Sequence, residues 1–71
     1  MLYNNLAMMY EEQGKYVISL DYYLKTYKFF VSKLGLGHLE SRNIRKNMKL
    51  TYIRWDKESD FDQWLEEKMK E

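Results

Sequence analysis

The chain contains no cysteine and no proline, and only three of its 71 residues are glycine. The lack of cysteine excludes disulfides and thiolate metal sites, and it favours a reducing, intracellular compartment. Proline and glycine are the residues that most often interrupt helices, so their scarcity favours a mostly helical chain. The sequence therefore predicts an all-α fold with few breaks.

Long apolar runs and a strong net charge are also missing. No segment approaches the roughly 18 consecutive apolar residues that a membrane helix needs, and the start MLYNNLAMMY lacks the basic and apolar regions of a signal peptide. A net charge of +1 gives no general attraction to nucleic acid or to anionic membranes. We expect a cytoplasmic protein that acts without a membrane.

Hydrophobic and aromatic residues are plentiful instead. They make up 45% and 17% of the chain, which is too rich for a disordered segment. At this length a single core is marginal, and natural domains of similar size add disulfides, metals or partner chains. Since cysteine is absent, partner chains are the expected source of additional stability.

Apolar residues recur every three or four positions in four segments, which are separated by glycines and by the polar sequence DKES. This pattern indicates amphipathic helices. We predict a first helix that ends at Gly14, a second over about 15–34, a third over about 39–55 and a fourth after Ser59. Ser59 followed by Asp62 resembles a capping box and predicts that Ser59 caps the fourth helix. Because the turns are short, neighbouring helices should run antiparallel as hairpins.

The apolar faces of these four helices form the predicted core. Their members are Leu2, Leu6, Met9 and Tyr10; Leu20, Tyr23, Leu24, Tyr27, Phe30, Val31 and Leu34; Ile44, Met48, Tyr52 and Trp55; and Phe61, Trp64, Leu65, Lys68 and Met69. A second stripe on the second helix comprises Ile18, Tyr22 and Phe29. A helix that is apolar on two sides expects neighbours on both.

The chain also contains an internal repeat. Asn5 and Asn47 lie 42 residues apart (47 − 5 = 42), and the same shift aligns Leu6 with Met48, Met8 with Leu50, and Tyr10 with Tyr52. The segment NNLAMMYEEQGKY and the later LGLGH resemble the tetratricopeptide repeat, in particular the long, 42-residue variety found in kinesin light chain. The residues that carry the resemblance are Tyr3, Leu6, Ala7, Tyr10, Gly14, Tyr16, Ser19, Tyr23 and the segment 34–38.

The resemblance implies a single domain over 1–71, built as a fragment of an α-solenoid. Repeat 1 is expected over about 1–37, and a degenerate terminal repeat 2 with a capping helix over about 38–71. The polar outer face of the last predicted helix is what a terminal capping helix requires. The first helix has no cap before it, so the chain can also be the C-terminal portion of a longer repeat protein.

In such repeats a small residue lets the paired helices approach closely. The resemblance implies that Ala7 and Ser19 are the points of close approach and that Gly14 lets the chain reverse. In repeat 2, Lys49 occupies the position of Ala7, and a lysine cannot make a close helix contact. The turn glycine is missing there as well. Both departures predict that the repeat array ends here.

A binding groove is the functional consequence of the resemblance, because the first helices of successive repeats line a concave surface that holds peptides. Carried over position by position, the groove residues are Asn4, Asn5, Met8, Glu11, Glu12, Asn43, Lys46, Asn47, Leu50, Ile53 and Arg54. The set lacks the Lys-Asn-Lys-Arg clamp of the chaperone-tail binders, so a C-terminal carboxylate is not the implied ligand. The prediction is a non-catalytic module that binds a peptide or protein segment, unless two repeats make only a shallow groove whose asparagines are structural.

Self-association is the alternative function. The stripe of Ile18, Tyr22 and Phe29 and the uncapped first helix need covering, and repeat proteins normally require about three units for stability. A homo-oligomer, in particular a dimer, is therefore expected. The polar segment 56–59 could let the third and fourth helices run on as one, which would allow two chains to exchange ends.

Catalytic chemistry has no visible basis in the residues. His38 is the only histidine, and neither an HExxH motif nor a phosphate-binding loop is present. We predict no enzyme activity, no metal and no cofactor, and a structural role for His38. The third predicted helix is basic through Arg42, Arg45, Lys46, Lys49, Arg54 and Lys57, and such a helix could track phosphates. Nucleic acid is nevertheless the least supported partner, because the acidic fourth helix is expected to balance this charge.

Overall fold

The computed structural model describes residues 2–56 and 58–70, apart from the side chains of Leu2 and Asn4. The described chain forms four α-helices: α1 (Leu2–Glu12), α2 (Tyr16–Leu34), α3 (Leu39–Trp55) and α4 (Phe61–Met69). The second helix packs against both α1 and α3. The predicted all-α array of helical hairpins is confirmed. None of the helices in the described ranges is long and apolar enough to cross a membrane.

Two glycines with positive φ lie in the first two turns. Gly14 (φ +79°) follows α1, and Gly35 (φ +89°) follows α2. Glycine adopts this left-handed region without the steric cost that a side chain brings. The N–H of Gly35 donates a hydrogen bond of 3.0 Å to the carbonyl oxygen of Val31 and so closes the last turn of α2.

Polar side chains cap the starts of α3 and α4. Nδ1 of His38 accepts a hydrogen bond of 3.2 Å from the backbone N–H of Glu40, so His38 has a structural contact at the position where α3 begins. A carboxylate oxygen of Asp60 accepts from the backbone N–H groups of Asp62 and Gln63, at 2.9 and 3.5 Å. Each cap satisfies backbone donors that have no partner inside the helix.

The turn between α3 and α4 is organised by Asp56. Its Oδ1 accepts from the backbone N–H groups of Glu58 and Ser59 at 3.2 and 3.4 Å, and its Oδ2 accepts from the Ser59 hydroxyl at 2.6 Å. The prediction that Ser59 caps α4 is wrong, because its hydroxyl is engaged with Asp56 and Asp60 stands directly before the helix. Hydrogen bonds from the Ser59 hydroxyl and the Glu58 N–H lower the pKa of Asp56 from its ordinary value of 3.8.

A continuous core joins the four helices. Its buried apolar residues are Ala7, Leu20, Tyr23, Leu24, Tyr27, Ile44, Met48, Tyr52, Phe61 and Leu65. Four hydroxyl side chains are buried with them, and each donates to a backbone carbonyl: Ser19 to Ala7, Thr26 to Tyr22, Ser41 to Gly35, and Thr51 to Asn47. These hydrogen bonds offset the cost of burying polar groups.

The first hairpin, α1 with α2, is held by a close backbone approach. Ala7 and Ser19 are both completely buried, and the Ser19 hydroxyl donates a 2.6 Å hydrogen bond to the Ala7 carbonyl oxygen. The expected close contact between these two residues is confirmed. Met9, which the periodicity places on the same apolar face, is exposed, because the small Ala7 and not a large side chain forms the centre of the contact.

The second hairpin, α3 with α4, is held by aromatic rings. Tyr52 of α3 lies 5.5 Å from Phe61 and 5.0 Å from Trp64, measured between ring centroids. The Arg45 guanidinium lies 5.4 Å from the centroid of the Phe61 ring and forms an ion pair with Asp62. Lys49, at the position equivalent to Ala7, is exposed.

Two residues at helix ends depart from the predicted core. Leu34, in the last turn of α2, and Trp55, in the last turn of α3, are both exposed. Trp55 still packs one edge against the Tyr52 ring, at 5.6 Å between centroids. Periodicity alone places such residues on the buried face of the helix. The neighbouring helix, however, does not cover the last helical turn.

Candidate functional site

A groove runs between α1 and α3, with α2 beneath it. Its lining residues are Met8, Glu11, Glu12, Tyr23, Asn47, Leu50 and Arg54, around a cavity of about 310 Å³. The first helix contributes three of these side chains and the third helix another three. The lining therefore includes six of the eleven residues that the resemblance predicts for a groove.

The two walls of the groove are joined by an ion pair between Glu11 of α1 and Arg54 of α3. The Glu11 side chain is only 14% exposed, whereas the Arg54 side chain is 61% exposed. The pair therefore has one sheltered and one solvated partner. The acidic and basic residues that the sequence places on opposite sides of the groove neutralise each other in part.

Tyr23 of α2 forms the floor of the groove. Burial raises the pKa of its phenol above the ordinary value of 10.0, the negative charge of Glu11 raises it further, and Thr51 and Arg54 act in the opposite direction. The phenol is therefore protonated and uncharged at neutral pH. The sequence pattern places Tyr23 only in the core. Its position on α2, the helix that lies beneath both walls, is the signal that could have identified it as the floor of the groove.

Apolar side chains stand on both rims. Met8 of α1 is 48% exposed and Leu50 of α3 is 50% exposed, and the two are related by the 42-residue shift. Between them Asn47 is half-buried, with its backbone carbonyl held by the Thr51 hydroxyl at 3.2 Å. The arrangement offers apolar contact on two sides and an amide between them, which suits a chain with a polar backbone and an apolar side chain.

Several residues predicted for the groove do not line it. Asn43 and Lys46 line a different depression on α3, together with Leu39, Arg42, Arg45 and Lys49. Asn5 and Ile53 are exposed and lie outside the groove lining, and the side chain of Asn4 lies outside the described part of the chain. Asn5, Asn43, Lys46 and Ile53 are therefore predicted groove residues that lie outside this cavity lining, because a helix presents only a narrow strip of its surface to the cavity.

Two members of the predicted self-association stripe are exposed, and the third is half-buried. Ile18 and Phe29 are 44% and 46% exposed. Tyr22 is half-buried, since its ring stacks on Tyr10 at 5.6 Å with an interplanar angle of 3° and also lies 5.6 Å from the ring of Tyr3. Its assignment to a fully uncovered stripe is wrong, because the rings of α1 cover part of Tyr22, although Tyr22 still lines a depression beside Ile18.

Within residues 2–56 and 58–70, no group of three or more His, Asp or Glu side chains is placed so that it could hold a metal ion. Comparisons of the chain with protein-family models, with curated proteins and with solved structures found no match. The groove between α1 and α3 and the charges around it are therefore the features that bear on function.

Proposed function

We propose that the chain is a non-catalytic protein-interaction module of the tetratricopeptide-repeat kind, which works in the cytoplasm and holds a peptide or protein segment in the groove between α1 and α3. The supporting observation is that residues chosen from a 42-residue repeat converge on one groove. These residues are Met8, Glu11, Glu12, Asn47, Leu50 and Arg54.

The groove chemistry favours a segment with an apolar side chain. Met8 and Leu50 offer apolar contact from opposite rims, and exposed apolar surface on a small domain is a common mark of a binding site. The Asn47 amide can both donate to and accept from a peptide backbone. Tyr23 closes the floor without adding charge, so charge selection rests on the rims.

Binding is tested with peptides selected from a display library on the immobilised chain, followed by calorimetric measurement of Kd. Leu50→Ser should weaken binding about tenfold, a loss of about 1.4 kcal/mol, since it removes one of the two apolar side chains that line the groove and puts a hydroxyl in its place. Ile53→Ser is the matched control, because both residues are exposed and apolar on α3 but only Leu50 lines the groove.

The asparagines provide a second matched pair on the same helix. Asn47→Ala should weaken peptide binding, whereas Asn43→Ala should leave the Kd unchanged, because only Asn47 lines the groove. Equal losses for both members of either pair would contradict binding in this groove. Peptides that bind all four variants as tightly as the parent chain would contradict it too.

Self-association is a second candidate, favoured by the exposure of Ile18 and Phe29. If two copies cover this surface, light scattering on a sizing column should give a dimer mass that persists on dilution. Ile18→Ser with Phe29→Ser should then give a monomer, whereas Leu36→Ser with Leu39→Ser should leave the dimer intact. The control residues are even more exposed, at 65% and 62%, and a monomer for the parent chain would contradict this candidate.

A further inference from the structure

The outer side of α3 carries a basic face, defined here by Arg42, Lys46 and Lys49. These positions recur at i, i+4 and i+7 and so stand on one side of the helix. Together with Arg45, Leu39 and Asn43 they line a depression of about 430 Å³. None of these residues lines the groove between α1 and α3, so the two surfaces are separate.

The charge of the basic face is not balanced within the described chain. Of the cations on α3, Arg45 pairs with Asp62 and Arg54 pairs with Glu11. No described carboxylate forms an ion pair with Arg42, Lys46 or Lys49. The expectation that the acidic α4 balances α3 is therefore met only by the Arg45–Asp62 pair.

Two other acids at or near α4 are engaged away from the basic face. Glu66 pairs with Lys70 on its own helix, and Asp60 accepts hydrogen bonds from the backbone at the start of α4. Like charges at i and i+4 on a helix repel and destabilise it. Arg42 and Lys46 stand in that relation, so an external anion that neutralises them stabilises α3.

We propose that the basic face binds an acidic segment, rich in Asp and Glu, of a partner protein. From position 42 to position 49 the helix advances about 10 Å, which about three residues of extended peptide span. Two or three carboxylates of such a segment can therefore each approach a different cation. Asn43 and Leu39 add an amide and an apolar side chain that suit a peptide.

The composition of the depression favours a peptide over nucleic acid. Its lining contains no aromatic side chain, whereas proteins that bind single strands stack the bases on aromatic rings. The basic face is also short, and the whole chain has a net charge of only +1. A strong, non-specific attraction to phosphate backbones is therefore not expected.

The test is fluorescence anisotropy with a labelled ten-residue peptide of glutamate and glycine, titrated with the full chain at low and at high salt. We expect saturable binding that weakens as salt rises, because the contacts are exposed ion pairs. Lys46→Gln with Lys49→Gln should weaken binding about fivefold to tenfold, which is about 1 to 1.4 kcal/mol in total, because each exposed ion pair contributes little.

A matched control removes the same charge elsewhere. Lys28→Gln with Lys33→Gln also deletes two lysines from a helix, neither of which has an ion pair with a described residue. This control should bind the peptide as the parent chain does, and circular dichroism should show both variants equally helical. Leu50→Ser should also leave the peptide Kd unchanged, which separates this surface from the groove.

Three results would overturn the proposal. One is no saturable binding of the acidic peptide at low salt. Another is an equal loss in both lysine double variants, which would mean a response to net charge alone. The third is that a labelled ten-nucleotide single strand binds more tightly than the peptide and that Lys46→Gln with Lys49→Gln weakens the binding of that strand. This result would assign the basic face to nucleic acid instead.

Discussion

The hairpin of α1 and α2 and the hairpin of α3 and α4 reach the same antiparallel arrangement through different contacts. In the first, two small residues bring the backbones together, and the Ser19 hydroxyl bonds the Ala7 carbonyl at 2.6 Å. In the second, the rings of Tyr52, Phe61 and Trp64 lie 5.0 to 5.9 Å apart. Ring contacts hold the two helices together without a small residue at the position of Lys49.

The difference explains how one surface can carry charge. A close backbone contact excludes any longer side chain, so only a small residue fits at the position of Ala7. In the second hairpin Met48 is the completely buried residue, and its neighbour Lys49, which the 42-residue shift aligns with Ala7, is exposed. It then joins Arg42 and Lys46 on the basic face. The second hairpin thus allows a long charged side chain at Lys49, and its surface can serve as the basic face.

The largest expected effect comes from removing a ring of the second hairpin. Phe61→Ala should cost about 3–5 kcal/mol, because Phe61 is a buried member of the core and truncation leaves a cavity. Hydrogen exchange should show α4 losing protection before α1 and α2. Trp55→Ala is the control, since Trp55 also contacts the Tyr52 ring but is exposed; a comparable loss there would contradict the role given to burial.

The next effect compares one substitution at the two equivalent positions. Ala7→Leu should destabilise the fold by about 1–3 kcal/mol through overpacking, because Ala7 has no exposed surface. Lys49→Leu should change stability by less than about 0.5 kcal/mol. Urea denaturation measures both. Similar values for the two variants would mean that the two hairpins are packed alike and would contradict the difference between them.

A smaller effect is expected at the start of α4. Asp60→Ala should cost about 1 kcal/mol, since it removes the acceptor for two backbone N–H groups at the helix start. Ser59→Ala should cost less, because its hydroxyl bonds only the exposed Asp56 carboxylate. Thermal unfolding of the two variants decides between them, and a larger loss for Ser59→Ala would assign the cap to Ser59 after all.

The smallest effect is a pH dependence in the same turn. The pKa of Asp56 is lowered in the folded chain, so its carboxylate adds stability above the ordinary Asp range and loses it as pH falls through the folded pKa. Ser59→Ala should move the Asp56 pKa back towards 3.8, because the Ser59 hydroxyl is the largest cause of the shift. Carboxyl NMR titration measures this, and an unchanged pKa would contradict that cause.

Local patterns in the sequence predict the helices well. Periodic apolar residues and the glycines at 14 and 35 place the elements. Of the residues predicted for the groove, Met8, Asn47 and Leu50 line the cavity between α1 and α3, whereas Lys46 and its neighbour Asn43 line a different depression. A repeat relates positions in two units, but it does not show how far each helix turns its side chains towards the groove.

Other errors arise where a side chain has more than one possible neighbour. Tyr22 has the spacing of an uncovered stripe, yet it stacks on Tyr10. Ser59 has the spacing of a cap, yet its hydroxyl bonds Asp56. Tyr23 has the spacing of a core residue and also forms the groove floor. In each case the sequence spacing is compatible with the predicted role, but the residues that pack against the side chain in the folded chain determine its contacts.

The sequence by itself determined where the helices begin and end and that Ala7 and Ser19 permit a close contact. These features depend on hydrogen bonds within a few residues, on the left-handed conformation of glycine and on side-chain size. Only the tertiary structure decided that Glu11 pairs with Arg54, while Arg42, Lys46 and Lys49 have no ion pair with a carboxylate in the part of the chain that the structure describes. Such pairings depend on the distances between helices, which the packing of Ala7 on α2 and of Tyr52 on α4 sets.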